Sequence, residues 1–100
     1  MLSISDYIRI ILKKKNMTNM DLVRKINKIE EEAGVEERTK KQNITSYLNG
    51  YQSWGYEFVR KVEVALELRD GFLMRMLGKP KTRESRKRYE EIMNKYRVKK

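Results

Sequence analysis

The sequence has 100 residues, with 24 Lys or Arg against 14 Asp or Glu and a net charge of +10. A chain of this length forms one modest core, and its charge favours a polyanionic partner, nucleic acid first and an anionic membrane second. The absence of cysteine and histidine excludes disulfides, thiolate metal sites and histidine acid–base chemistry. We therefore expect no metal or other cofactor and no enzymatic activity.

The N-terminal segment argues against export and against a membrane location. Asp6 and Arg9 interrupt its apolar run, so it does not fit a signal peptide. No stretch approaches the ~20 apolar residues of a membrane span. The expected location is cytoplasmic, with no membrane contact.

Six helical segments and no strand are predicted, which makes the fold class all-α. The first, residues 5–15, has an apolar stripe, and Ser3 or Ser5 can cap it. The second begins at Thr18, which is spaced to form a capping box with Asp21, and extends toward Gly34 as its stop.

The third segment, residues 40–48, is predicted to be capped by Thr39 and to end at a glycine after Asn49. The fourth repeats apolar residues between positions 58 and 66, and a short fifth helix covers residues 72–77. A Gly-Lys-Pro hinge precedes the sixth, residues 82–98. The predicted domains are therefore 1–78, and 79–100 as a basic C-terminal helix.

The third segment carries the most informative surface. Ile44 and Tyr47 are expected to face inward, which leaves a polar face on the other side of the helix. Glutamine can pair with adenine in a major groove, and lysine can donate to guanine. No acidic residue occurs between Arg38 and Tyr56, a span of 19 residues. The residues of the polar face are Lys41, Gln42, Thr45 and Ser46.

Residues 4–77 resemble the λ-repressor-like helix-turn-helix family, also called the Cro/C1 or xenobiotic-response-element type. The resemblance is carried by Asn16-Met17-Thr18 with Asp21-Leu22, by the run Asn-Ile-Thr-Ser-Tyr-Leu-Asn-Gly at 43–50, and by residues 58–68. It implies a five-helix DNA-binding domain, here followed by a C-terminal helix, whose recognition helix contacts bases through its polar face. The phosphate contacts it implies are Lys15, Asn16, Thr18, Asn19, Asn43, Asn49 and Tyr51.

The chain departs from this family by an insertion. Leu22 and Ile44 are 22 positions apart, about ten more than the family has, and we place the excess in a longer second helix and a longer turn. The inserted carboxylates repel phosphate, so this segment should point away from DNA or toward a basic partner. They are Glu30, Glu31, Glu32, Glu36 and Glu37.

The sixth segment has one narrow apolar stripe, which allows three arrangements. It can fold back on its own domain, pair with its copy in a homodimer, or lie on DNA through the surrounding Lys and Arg. Dimerisation is the one we predict, because a narrow stripe on a highly charged helix is too weak to fold alone. The residues of this stripe are Tyr89, Ile92, Met93 and Tyr96.

The predicted function is sequence-specific binding of double-stranded DNA. The protein is interpreted as a dimeric repressor or autoregulator acting on a palindromic operator, of the size and form of phage or mobile-element regulators. One alternative is a protein-binding module on a helix-turn-helix scaffold, such as an antitoxin or a nuclease inhibitor, whose partner site is the acidic insertion. The other is non-specific binding of nucleic acid, including RNA.

Overall fold

A computed structural model describes residues 2–96. Within this range the chain forms five α-helices, one 3₁₀ segment and no strand, which confirms the all-α prediction. Contacts divide it into two units, Met1–Ser53 and Trp54–Lys100, called here the first and the second unit. None of the helices in the described range combines the length and apolar character needed to span a bilayer. The elements are α1 (Ile4–Lys14), α2 (Asn19–Glu32), α3 (Lys41–Leu48), α4 (Tyr56–Ala65), the 3₁₀ segment (Met74–Leu77) and α5 (Arg83–Lys95).

Two capping boxes start the helices of the first unit. Before α1, the Ser3 hydroxyl accepts from the Asp6 amide at 3.2 Å, and the Asp6 carboxylate accepts from the Ser3 amide at 3.1 Å. Before α2, Thr18 and Asp21 form the same pair of bonds, at 3.1 and 2.9 Å. Each box satisfies two donors that a helix start leaves without an intrahelical partner. The Thr18 box is confirmed, and Ser3 is the cap of α1.

The core of the first unit follows the helical period of the sequence. α3 packs against both α1 and α2. Apolar side chains recur every three or four residues, so they share one face of each helix and become buried together. The buried apolar residues of these helices are Ile4, Ile8, Leu12, Leu22, Val23, Ile26, Ile44 and Leu48.

A buried carboxylate fixes the connection between α2 and α3. Glu30 is 1% exposed, and its two oxygens accept from the Thr39 amide at 2.9 Å and the Thr39 hydroxyl at 3.0 Å. The prediction that Thr39 caps α3 was wrong, because its hydroxyl is bonded to Glu30. Lys40 is the N-cap residue, and its amide donates to Oδ1 of Asn43 at 2.8 Å. Gly34 ends α2 with φ 76°, as predicted.

The second unit contains a network around a buried ion pair on α4. Nη1 of Arg60 lies 2.6 Å from Oε1 of Glu63, and these residues are 1% and 0% exposed. Glu63 also accepts from the backbone amides of Gly71, Leu73 and Met74, at 2.8, 2.8 and 3.2 Å. The predicted short fifth helix, residues 72–77, is a 3₁₀ segment at Met74–Leu77, and the Glu63 carboxylate accepts from the Leu73 and Met74 amides at its start.

Arg60 also holds the C-terminal end of α5. Its Nε donates to the Tyr96 carbonyl at 2.8 Å, and Nη2 donates to the Met93 carbonyl at 3.2 Å. These bonds satisfy carbonyls that the end of a helix leaves without a partner. α5 ends at Lys95, and the predicted end of this helix at Val98 lies outside the described residues.

The apolar stripe of α5 faces its own unit. Ile92 is 4% exposed and Tyr96 is 1% exposed, whereas Tyr89 and Met93 are half-buried. α5 packs against α4, which is the first of the three arrangements that the sequence left open. Dimerisation through this stripe stays a prediction, as does the domain boundary at residue 78.

Candidate nucleic-acid interface

α3 has a buried side and a polar side. Ile44 and Leu48 are buried, one turn apart, and they set the orientation of the helix in the first unit. Lys41 and Gln42 are exposed in its first turn. The predicted polar face is therefore accessible at the N-terminal turn of α3, where a helix end can enter a groove.

The predicted base-contacting residues line one open cleft. Its volume is about 490 Å³, and all of its described lining residues belong to the first unit. It contains all four of these residues, together with Tyr51 from the predicted phosphate set and with Lys40. No acidic side chain is among its described lining residues, which are Lys40, Lys41, Gln42, Thr45, Ser46 and Tyr51.

Lys40 also lines this cleft, although it was not among the predicted site residues. The helix was expected to include Lys40 after a Thr39 cap, but α3 begins at Lys41 and leaves Lys40 at the N-cap position. The sequence feature that could have identified Lys40 is its position directly before Lys41, the first residue of the predicted polar face. Lys40 and Lys41, which are adjacent in sequence, therefore both line the cleft.

The side chains of the cleft offer donors and acceptors of different kinds. Gln42 can both donate and accept, Lys41 donates only, and a hydroxyl can do either. The Thr45 hydroxyl donates to the Lys41 carbonyl at 3.1 Å, so its oxygen remains available as a hydrogen-bond acceptor. Tyr51 is 82% exposed and adds an aromatic ring with a phenolic hydroxyl. This mixture suits recognition of base edges better than attraction to charge alone.

Hydrogen bonds hold α3 at both ends. At its C-terminal end the Ser5 hydroxyl donates to the Tyr47 carbonyl at 3.1 Å, and Arg9 donates to the Leu48 carbonyl at 2.8 Å. The Glu30–Thr39 pair fixes the chain just before its N-terminal end. A recognition surface needs such support, because a loosely held side chain loses both affinity and specificity.

Two of the predicted phosphate contacts already have structural roles. Oδ1 of Asn43 accepts from the Lys40 amide, and Oδ1 of Asn49 accepts from Arg9 at 3.0 Å. A phosphate accepts hydrogen bonds, so these residues would contact it through their amide nitrogens. Their phosphate roles stay predictions.

The other predicted phosphate contacts lie where α1 leads into α2. Lys15 is the C-cap residue of α1, Asn16 has a positive φ of 57°, Thr18 caps α2 and Asn19 is its first residue. An open cleft of about 530 Å³ borders this corner, lined by Lys15, Met17, Asp21, Arg24 and Lys25. Arg24 and Lys25 were not predicted to line a site, because the apolar period of α2 indicates only which of its residues are buried.

Asp21 limits what this corner can bind. Its carboxylate accepts from the Thr18 amide, and that bond lowers the pKa of Asp21 below its ordinary value, with a smaller contribution from nearby Arg24. Nη1 of Arg24 lies 3.5 Å from the same carboxylate. A phosphate approaching the start of α2 would meet a negative group there, so the α3 cleft is the better-suited surface.

The acidic insertion divides into an internal and an external part. Glu30 is buried and structural, so the prediction that it belongs to a repelling surface was wrong. The other four carboxylates are exposed on the end of α2 and on the connection: Glu31, Glu32, Glu36 and Glu37. Among residues 2–96 no acidic residues cluster in a way that could hold a metal ion.

No family model, curated protein or solved structure matches this chain. The resemblance to the λ-repressor-like family therefore stays a prediction that depends on the residues quoted for it. What the structure adds is the accessible polar face of α3 and the contacts that support it.

Proposed function

We propose that this protein binds double-stranded DNA sequence-specifically and regulates transcription, as a repressor or autoregulator. The observation that supports the proposal is the α3 cleft, where the four polar residues chosen from sequence lie together on a helix anchored at both ends.

In the proposed mechanism α3 enters the major groove with its N-terminal turn leading. Gln42 makes a bidentate contact with adenine, and Lys41 donates to the acceptors of guanine. Thr45 and Ser46 approach the floor of the groove, where a threonine methyl can contact thymine. Lys40 and Tyr51 contact the sugar–phosphate backbone at the edges of the cleft.

Repression follows from occupancy of the operator. Two copies bound to a palindromic site would place their recognition helices ~34 Å apart, one helical turn of DNA. The α5 stripe is the sequence-based candidate for the contact between copies. Since Ile92 and Tyr96 are buried in their own chain, the half-buried Tyr89 and Met93 are the members that a partner could reach.

A second candidate function is recognition of a basic protein. It is favoured by the four exposed carboxylates of the insertion, Glu31, Glu32, Glu36 and Glu37, which lie next to the Glu30 anchor of the connection. A role of this kind would leave the α3 cleft dispensable and would depend on the insertion.

The deciding experiment is selection of binding sites from random duplex DNA. Wild type is compared with Lys41→Ala/Gln42→Ala, and Lys28→Ala, which removes an exposed lysine from α2, is the control. We expect wild type and the control to enrich one palindromic motif, and the double variant to lose or relax it. Removal of each bidentate pair should cost about 1–3 kcal/mol of discrimination.

Other outcomes would contradict the proposal. Absence of an enriched motif, with equal salt-sensitive binding by all three proteins, would indicate non-specific binding of nucleic acid. A motif that the double variant retains would place the readout away from α3. A motif without a palindrome would keep sequence-specific binding but remove the two-copy arrangement.

A further inference from the structure

A compact patch of positive charge lies in the second unit. Residues 79–88 contain six basic residues and one acidic residue, a net charge of +5 out of the chain's +10. All six basic side chains are exposed. They are called here the basic patch: Lys79, Lys81, Arg83, Arg86, Lys87 and Arg88.

The basic patch is not used for folding. None of its six members forms an ion pair or hydrogen bond through its side chain within residues 2–96, although Glu84, Glu90 and Glu91 stand at helical spacing to several of them. By contrast, Lys95 at the other end of α5 does form a surface ion pair, with Glu57 at 3.1 Å. Cations in the first turn of a helix are also unfavourable for its dipole. These side chains are therefore available to an external partner.

The packing of α5 holds the patch outward. Ile92 and Tyr96 are buried on one side of the helix. Arg83 and Lys87, four residues apart, lie on the opposite side by the helical period of 3.6 residues. The four patch members at 83–88 lie on α5, whose last carbonyls are bound by Arg60, and Lys79 and Lys81 precede the helix.

The chemistry of the patch fits the phosphates of a duplex. Guanidinium and ammonium groups bind phosphate oxygens well. Exposed large apolar residues within 2–96 are Leu2, Ile10, Tyr51 and Phe72, and since none lies in the patch it has nothing to insert into a bilayer. The nearest aromatic residue of α5, Tyr89, is no open platform for unpaired bases, because it packs edge-on against Tyr56 at 5.5 Å.

We propose that the basic patch of α5 is a second DNA-contacting surface, which binds backbone phosphates without reading sequence. The proposal rests on the DNA-binding function proposed above and adds a division of roles to it. The α3 cleft selects the site, and the basic patch contributes salt-sensitive affinity that is equal for every duplex.

The test compares two double variants of the full chain that remove the same charge. Arg83→Gln/Lys87→Gln neutralises the centre of the patch, and Arg69→Gln/Arg75→Gln removes two exposed arginines elsewhere in the second unit. Binding is measured from 50 to 300 mM salt on the selected duplex and on a random one. Thermal melting by circular dichroism checks that both variants are folded.

For the patch variant we expect the slope of log affinity against log salt to fall by about 1.8, that is about 0.9 for each phosphate that is no longer neutralised. Affinity should fall by the same factor on both duplexes, and the selected motif should be unchanged. The control variant should keep the wild-type slope.

An unchanged slope in the patch variant would overturn the proposal while leaving readout by α3 intact. A reduced slope in a protein that selects no motif would support the patch and contradict the proposed regulator. Vesicles containing phosphatidylserine provide a further arm. If the patch variant loses binding to vesicles but not to DNA, the patch is a membrane surface and the proposal fails.

Discussion

The two units of this protein are stabilised in different ways. In the first unit, helices begin at Ser-x-x-Asp and Thr-x-x-Asp boxes, and apolar residues at helical spacing fill the core. In the second unit, a buried arginine and a buried glutamate on α4 bind the backbone of two other segments. Both units contain hydrogen bonds between residues 36 to 42 positions apart, but those of the first unit, from Ser5 and Arg9, are part-buried or exposed, whereas the Arg60–Glu63 pair of the second unit is buried.

This difference extends to the surfaces. The first unit presents amide, hydroxyl and ammonium groups in the α3 cleft, whereas the second presents six cations on and before α5. Side chains that reach base edges distinguish bases, whereas cations that meet only phosphates bind any duplex. A single small chain can therefore combine recognition with general affinity by placing them on separate helices.

The largest effect is expected from breaking the buried pair of the second unit. Glu63→Ala removes the buried partner of the Arg60 guanidinium, which keeps the exposed Asp70 carboxylate at 2.8 Å, and leaves three backbone amides without an acceptor. Removal of one member of a buried ion pair costs about 3–5 kcal/mol. Urea unfolding followed by the fluorescence of Trp54, the only tryptophan and a residue of the second unit, would measure the loss.

Glu91→Ala is the matched control for this measurement, because it removes an exposed glutamate from α5 in the same unit. Its effect should stay within about 0.5 kcal/mol. If Glu63→Ala cost no more than the control, the second unit would not depend on its polar network, and the contrast between the units would disappear.

A smaller effect is expected from the buried carboxylate of the first unit. Glu30→Ala removes the acceptor of both the Thr39 amide and the Thr39 hydroxyl. Leaving buried donors unsatisfied costs about 1–3 kcal/mol, and this change does not take a partner from a buried cation as Glu63→Ala does. Urea unfolding followed by far-UV circular dichroism would measure this change.

The neighbouring Glu31→Ala is the control, since Glu31 is exposed. A double-mutant cycle with Thr39→Val isolates the bond between the two side chains. Because Thr39 immediately precedes the N-cap of α3, we also expect Glu30→Ala to broaden the selected motif. Equal stability of the two glutamate variants would show that the connection is positioned without Glu30.

The first unit was largely predictable from sequence, and so was the composition of the candidate site. Capping boxes, the glycine stop at Gly34 and the polar side of α3 are local patterns, each within a few residues of the feature it specifies. Lys40 and Glu30 were missed for a related reason. Their roles depend on where α3 begins and on a bond across nine positions, which no periodic pattern records.

The second unit was less predictable because it buries a polar network beside its apolar residues. Arg60 and Glu63 look like ordinary surface residues of an amphipathic helix, and their charges gave no reason to expect burial. The short fifth helix was predicted from apolar spacing, and the chain forms a 3₁₀ segment there whose first amides are bonded to Glu63. Short 3₁₀ segments are common as connectors, and apolar spacing over so few residues does not specify them.

The smallest effect is expected at the caps of the first unit, where it depends on pH. A bond from the Thr18 amide is the largest cause that lowers the pKa of Asp21, and Ser3 does the same for Asp6. A carboxylate whose pKa is lower in the folded state adds stability above its unfolded pKa, near 3.8. This stability is lost as the pH falls through the folded pKa. The melting-temperature difference between wild type and Asp21→Asn should therefore be constant near neutral pH and shrink below pH ~4. Asp6→Asn should behave in α1 as Asp21→Asn does in α2. A melting-temperature difference that did not vary with pH would show that the boxes act through geometry and not through charge.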